Sequence, residues 1–302
     1  MRRRQFMVAG AAAAGAVLVG CSSGSKHDED DDADDRTPSP GTPSPGTPSG
    51  PRPTGGPGAV AGFFGAQVSA RRAGSFGLDR AELLPGGGPG PGPVLRVRYP
   101  AGSASPTVAR TYDRPEGGTQ LYLPLRTGPV DRLHLRYCLR FPAGFDFVKG
   151  GKLPGLYGGT ATSGGRIPDG ADGLSTRYMW RSGGRGEVYA YLPTSKVHGT
   201  SLGRGSWSWP VGRWACVEQA VTLNRSGHSD GSVTVHVDGR RVLHSDGLVF
   251  RTTDELRIAG VFFSTFFGGG DPSWATPRTQ YADFAAFAVA NRALGPPPGT
   301  GR

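Results

Sequence analysis

Leu133-His134-Leu135-Arg136-Tyr137-Cys138-Leu139-Arg140-Phe141 alternates apolar and polar side chains along its whole length. Successive side chains of a strand point to opposite faces, so the odd-numbered positions make an apolar face and the even-numbered ones a polar face. The stretch therefore reads as a strand with one buried side. Further along, Val233-Thr-Val-His-Val-Asp238-Gly239-Arg-Arg-Val-Leu243 places two such runs either side of Asp238-Gly239, a dipeptide that closes tight hairpins. Working outward from these, strands are predicted over Val94–Tyr99, Thr119–Pro124, Arg132–Phe141, Glu187–Leu192, Trp214–Leu223, Gly231–Val237, Arg240–His244, Glu255–Phe266 and Tyr281–Ala290. No segment carries a long amphipathic helical period. Many short strands separated by turns predict an all-β fold, a sandwich or jelly roll. The 51 glycines suit that reading, because frequent turns need backbone at positive φ.

The two ends read differently. Met1-Arg-Arg-Arg-Gln-Phe-Met7 is a charged start followed by the short apolar run Val8 to Gly20. That run is too short to span a bilayer as a stable helix and has the shape of an export signal. Arg3-Arg4-Gln5-Phe6-Met7 resembles the twin-arginine signal, and Leu18-Val19-Gly20-Cys21 resembles the lipobox of bacterial lipoproteins, in which the Cys is acylated. The expected organisation is a signal over residues 1–20, a linker over 21–57, a folded domain over 58–295 and a tail over 296–302. The linker holds the acidic run Asp28 to Asp35 and the repeated Thr-Pro-Ser-Pro-Gly, a composition that favours extended, unpacked chain. An exported protein is expected, anchored outside the cell membrane through Cys21 or secreted, with no other membrane contact.

The net charge is +10, but residues 1–20 contribute +3 and residues 21–60 contribute −4, which leaves +11 on residues 61–302. A basic domain outside the cytoplasm suits an anionic partner such as an acidic polysaccharide, although an arginine-rich proteome produces the same excess. Export and the lack of any nucleic-acid-binding motif both oppose nucleic acid as that partner. Cys138 and Cys216 lie in predicted strands and are open to two readings, a disulfide between neighbouring strands or buried thiols. No Cys/His cluster has zinc-ligand spacing.

Chemistry concentrates in residues 146–192. Phe147-Val-Lys149-Gly-Gly-Lys152-Leu-Pro-Gly-Leu-Tyr-Gly-Gly159 sets two lysines in what reads as a glycine-rich turn, where the backbone can approach a ligand and Lys149 and Lys152 can neutralise a carboxylate. In Gly173-Leu-Ser175-Thr-Arg177-Tyr-Met179-Trp-Arg181 a strand places Ser175, Arg177 and Met179 on one face, and Glu187-Val-Tyr189-Ala-Tyr191-Leu-Pro193 does the same for the two tyrosines. These blocks resemble polysaccharide lyase family 14, with similar blocks in the glucuronan lyases of family 20. The resemblance continues through Gly212-Arg-Trp214, Val221-Thr-Leu-Asn224, Asp238-Gly239 and Phe262-Phe-Ser-Thr-Phe-Phe-Gly-Gly-Gly-Asp-Pro-Ser-Trp-Ala275, and so covers most of residues 100 to 290.

The resemblance implies a concanavalin A-like jelly roll of two antiparallel sheets that cleaves a glucuronan- or alginate-like chain by β-elimination. It carries over five catalytic positions: Lys152, Ser175, Arg177, Tyr189 and Tyr191. Elimination needs the uronate carboxylate neutralised, a base for the proton beside it and an acid for the leaving oxygen. Lys152 and Arg177 suit the first task, Tyr189 or Tyr191 the second and third, and Ser175 would bond the sugar or orient a Tyr. Lys149, Gln120 and His198 are further substrate-binding candidates, each equally readable as an ordinary loop or strand residue. Trp180, Trp207, Trp209 and Trp274 could stack on sugars, but core packing is their commoner role. The run from Phe262 to Phe267 reads as core strand. No cofactor is required; a structural Ca²⁺ held by Asp271 and Asp283 is conceivable, and a monomer is expected. The alternatives are a non-catalytic sugar-binding sandwich and a glycoside hydrolase. The latter needs two facing carboxylates, for which Glu187 and Glu218 are the only central-strand candidates.

Overall fold

The computed structural model describes residue 60 and residues 62–297. The expected export signal, Cys21, the linker and the last residues of the tail lie outside them. In chain order the strands are β1 Arg71–Phe76, β2 Ala81–Leu84, β3 Val94–Tyr99, β4 Thr119–Pro124, β5 Arg132–Arg140, β6 Gly150–Gly159 and β7 Gly173–Arg181. They continue as β8 Gly186–Tyr191, β9 Thr200–Leu202, β10 Ala215–Thr222, β11 Gly231–Val237, β12 Arg240–Leu248, β13 Ile258–Phe267 and β14 Gln280–Ala290. A short helix, α1 Pro106–Thr111, intervenes between β3 and β4; the Ser105 side chain caps its first turn by accepting from the Val108 N–H.

The strands form two seven-stranded sheets. One has the order β1-β4-β13-β6-β7-β8-β9, the other β12-β11-β10-β5-β14-β3-β2. Every pairing between named strands is antiparallel. This is the expected two-sheet sandwich. Alternation decides what fills it: Leu133, Leu135, Tyr137 and Leu139 of β5 share one core with Leu121 and Leu123 of β4, Tyr178 and Trp180 of β7, and Val188 and Ala190 of β8. Each fully buried Leu or Phe there stabilises the fold by about 1.5–3 kcal/mol. Trp180, Trp207 and Trp209 are core residues too. Two polar groups between the sheets are paired: the Tyr137 hydroxyl donates to the Pro154 carbonyl, and the Thr176 hydroxyl to the Gln219 side-chain oxygen.

Cys138 and Cys216 face each other across β5 and β10 and form a disulfide. Two expectations change. Residues 150–159 are not a glycine-rich turn; they are a central strand, β6, which places Lys152 within a sheet. Its glycines serve packing, since a Cβ on Gly151 would lie 2.0 Å from the Trp180 ring. The second change concerns β13, which is not core on both sides. Phe263 and Phe267 join the core, whereas Phe262 packs with Tyr122 and Tyr157 on the opposite face.

Candidate active site

The site residues sit on the face of the first sheet that is turned away from the core. Register decides which of them meet. Lys152 of β6 pairs with Met179 of β7, which pairs with Glu187 of β8. Along the same two strands, Arg177 pairs with Tyr189 and Ser175 with Tyr191. Seven residues of three strands, the five expected catalytic ones among them, thus take neighbouring positions although they lie up to 39 residues apart, Lys152 to Tyr191.

The Lys152 ammonium lies 4.4 Å from the centre of the Tyr189 ring and 3.2 Å from the Met179 sulfur. The Arg181 guanidinium lies 5.5 Å from that same ring centre. Tyr189 meets Tyr191 edge to face at 5.6 Å. The Tyr191 hydroxyl accepts the Gly165 N–H at 2.8 Å, and Ser175 donates to the Thr162 carbonyl at 2.7 Å. Ser175 therefore ties down the loop after β6, and that loop positions the Tyr191 oxygen. An N–H aimed at a phenol oxygen stabilises negative charge developing there.

Arg177 is wholly buried, and its guanidinium reaches across β6 to β13. There it lies 4.6 Å from the Phe262 ring centre and donates to the Ser264 hydroxyl at 3.2 Å. Gly155 of β6 lets β7, and with it the Arg177 backbone, lie this close. A Cβ at Gly155 would stand 2.1 Å from the Thr176 carbonyl oxygen and 2.5 Å from the Arg177 Cα. The sequence reading did not single out Gly155, Arg181, Ser264 or Phe262; Arg181 at the same strand phase as Arg177 was the one available signal.

The remaining candidates divide. Gln120 is buried on this face opposite Ser264, where its amide donates to the Gly74 carbonyl at 2.9 Å. His198 is half-buried in the loop after β8, beside Gly199, whose Cβ would lie 2.7 Å from the Tyr189 ring. Lys149 does not join the cluster: it is exposed, and its ammonium donates to Ser273 at 2.5 Å. Trp274 packs beneath that lysine, at 5.8 Å from its ammonium.

The carboxylates are placed otherwise. Glu187 is fully buried and accepts two N–H groups of Arg181, at 2.8 and 3.0 Å. Glu218 belongs to the second sheet, where it accepts from His134 at 2.7 Å. The two therefore cannot face each other across one cleft, and the hydrolase alternative loses its residues. Asp271 and Asp283 do not meet either. Asp283 is held between Arg96 and Arg140, while Asp271 accepts from Ser273. Among the described residues no group of three or more His, Cys, Asp or Glu could hold a metal ion. Nor is any described helix long and apolar enough to cross a membrane.

Buried cations and a tyrosine pair thus lie together on the outward face of one sheet of a two-sheet sandwich. Residues 89–287 match the model of the family Polysaccharide lyase 14, and the chain belongs to that family. It is a polysaccharide lyase. Among solved structures it is similar to a marine PL-14 alginate lyase from Aplysia kurodai, at 29% identity and TM-score 0.65 over 78% of this chain and 94% of that one. It is similar in fold to alginate lyase vAL-1 from Chlorella virus, at 23% identity and TM-score 0.61 over 70% and 89% of the two chains. An endo-β-1,4-glucuronan lyase from the fungus Trichoderma reesei shares the fold at 10% identity and TM-score 0.51, covering 79% and 97%. A search of curated proteins found no match to the chain.

Proposed function

We propose that the protein cleaves a uronate-containing polysaccharide, glucuronan- or alginate-like, by β-elimination. The observation that carries this is the placing of the Lys152 and Arg181 cations at the ring of Tyr189, beside Tyr191, with Arg177 in register next to Tyr189 on the same sheet face. In this reading Arg177 and Lys152 neutralise the uronate carboxylate, which makes the proton on the adjoining carbon more acidic. One tyrosine removes that proton. The electron pair forms a double bond to the next carbon, the glycosidic carbon–oxygen bond breaks, and the departing oxygen takes a proton from the second tyrosine. Ser175 acts through the loop that carries Gly165.

The test is ultraviolet absorbance of the unsaturated product, with glucuronan, alginate and other uronans as substrates. At least one should give signal. Tyr189→Phe and Tyr191→Phe should each lower kcat by about 10²–10⁴-fold, the usual range for general acid–base groups. Binding without cleavage on every uronan would leave a sugar-binding module instead. Full activity in both tyrosine variants would remove them from the chemistry.

The same proposal includes an exported protein, acylated at Cys21 and monomeric. The Cys138–Cys216 disulfide supports an oxidising compartment. Acyl-chain labelling of the wild type but not of Cys21→Ser, and light scattering at the monomer mass, are the expected results.

A further inference from the structure

Arg177 has a counterpart at the far edge of the same face. Arg71 of the edge strand β1 pairs in register with Tyr122 of β4, Tyr122 pairs with Phe262 of β13, and Phe262 with Gly155 of β6. The row ends at Arg177, whose Cα lies beside Gly155 and whose guanidinium lies over Phe262. The Tyr122 and Phe262 rings are stacked, with centres 4.6 Å apart and planes 20° apart. Arg71 lies over Tyr122 at 4.5 Å and Arg177 over Phe262 at 4.6 Å. Those three spacings bound the distance between the two guanidinium carbons at ~14 Å.

The two ends of the row differ in setting. Arg177 is buried, whereas Arg71 is exposed. Several other arginines are engaged by acids: Arg96 and Arg140 by Asp283, Arg181 by Glu187, Arg251 by Asp131. Among the described residues no carboxylate pairs with Arg71, although Tyr122 holds its guanidinium in place. A guanidinium stacked on a ring keeps its N–H fork parallel to the ring plane and available to a carboxylate.

We propose that Arg71, on its Tyr122–Phe262 platform, is a distal subsite that binds the carboxylate of a second uronate a few sugars from the bond cleaved. This deepens the reading under Proposed function and rests on it. The enzyme then selects polymers with uronates on both sides of that spacing and discriminates against a neutral sugar at the distal position.

The experiment compares Arg71→Gln, Arg71→Lys and the neighbouring Arg72→Gln on a long polyuronate, on the shortest oligomer cleaved, and on a partly carboxyl-reduced polymer. Arg71→Gln should raise KM on the polymer about 5-fold or more with kcat within twofold, the effect of one charge-assisted contact. On the shortest oligomer, and on the reduced polymer, the difference from wild type should shrink towards none. Arg71→Lys should recover part of the loss, and Arg72→Gln should match wild type. Polymer binding by affinity electrophoresis should follow the same order. Wild-type KM and mobility for Arg71→Gln, in an active enzyme, overturns the subsite alone. A wild type that neither cleaves nor binds any uronan overturns the functional reading and the subsite together.

Discussion

Replacing Gly155 by Ala adds one methyl group, and the structure says where it must go. The new carbon would sit 2.1 Å from the Thr176 carbonyl oxygen and 2.5 Å from the Arg177 Cα. Both are backbone atoms of β7, so no rotamer change relieves the contact. Either β6 and β7 part locally by roughly an ångström or the strand bulges, and such overpacking costs about 1–3 kcal/mol. At this domain size that lowers Tm by about 2–4 °C per kcal/mol. Activity should suffer more than stability, because the added methyl displaces the Arg177 Cα, from which the guanidinium reaches Ser264 and Phe262. A displacement near 1 Å of a group that positions substrate costs about 10²-fold in rate. The assay is product absorbance alongside a thermal melt, with Gly92→Ala as control, because a Cβ at Gly92 meets nothing within 4 Å. Gly155→Ala with wild-type kcat/KM and wild-type Tm would refute the crossing of Arg177 as a condition of activity.

Two predictions concern the second sheet. The Cys138–Cys216 disulfide closes a loop of sequence separation 78, for which the chain-entropy relation gives about 4.5 kcal/mol. Replacing both cysteines by Ala should lower Tm by about 9–18 °C, measured without reductant, and an unchanged melt would show that the disulfide constrains nothing. Burial pushes the Glu218 carboxyl up, but the N–H groups of Leu294 and Gly295, together with His134, outweigh it and hold the carboxyl below its ordinary value. A depressed carboxyl stabilises the fold fully above its unfolded value, about 4.3, and this contribution disappears as pH falls through the lower folded value. Denaturant midpoints between pH 6 and pH 2 should therefore fall less steeply for Glu218→Gln than for wild type. Parallel acid limbs would remove Glu218 from the account.

Much of the architecture was legible along the chain because strands with one dry face announce themselves by period 2. Val94–Tyr99, Thr119–Pro124 and Gly231–Val237 match their predicted bounds, and most others shift by one or two residues. The β6 strand was not legible. Gly-Gly-Lys-Leu-Pro-Gly-Leu-Tyr-Gly-Gly has no alternation, and its glycines look like turn residues until Trp180 and Arg177 are seen lying against them. The candidate site was half legible. Ser175 and Arg177, and likewise Tyr189 and Tyr191, share a face by strand period alone, but nothing local separates Lys152 from Lys149.

By itself the sequence determined the fold class and the pairing of cations with tyrosines, since these follow from residue identity and short-range spacing; the tertiary structure removed the carboxylate pair by placing Glu187 and Glu218 in different sheets. Only the tertiary structure decided that Lys152 rather than Lys149 stands over Tyr189. It also decided that Ser175 holds the loop behind Tyr191, and that Arg71 and Arg177 close the two ends of one aromatic stack. The reason is register. Which residues of β1, β4, β13, β6, β7 and β8 lie side by side depends on strands distant in the chain, and no local periodicity encodes that alignment.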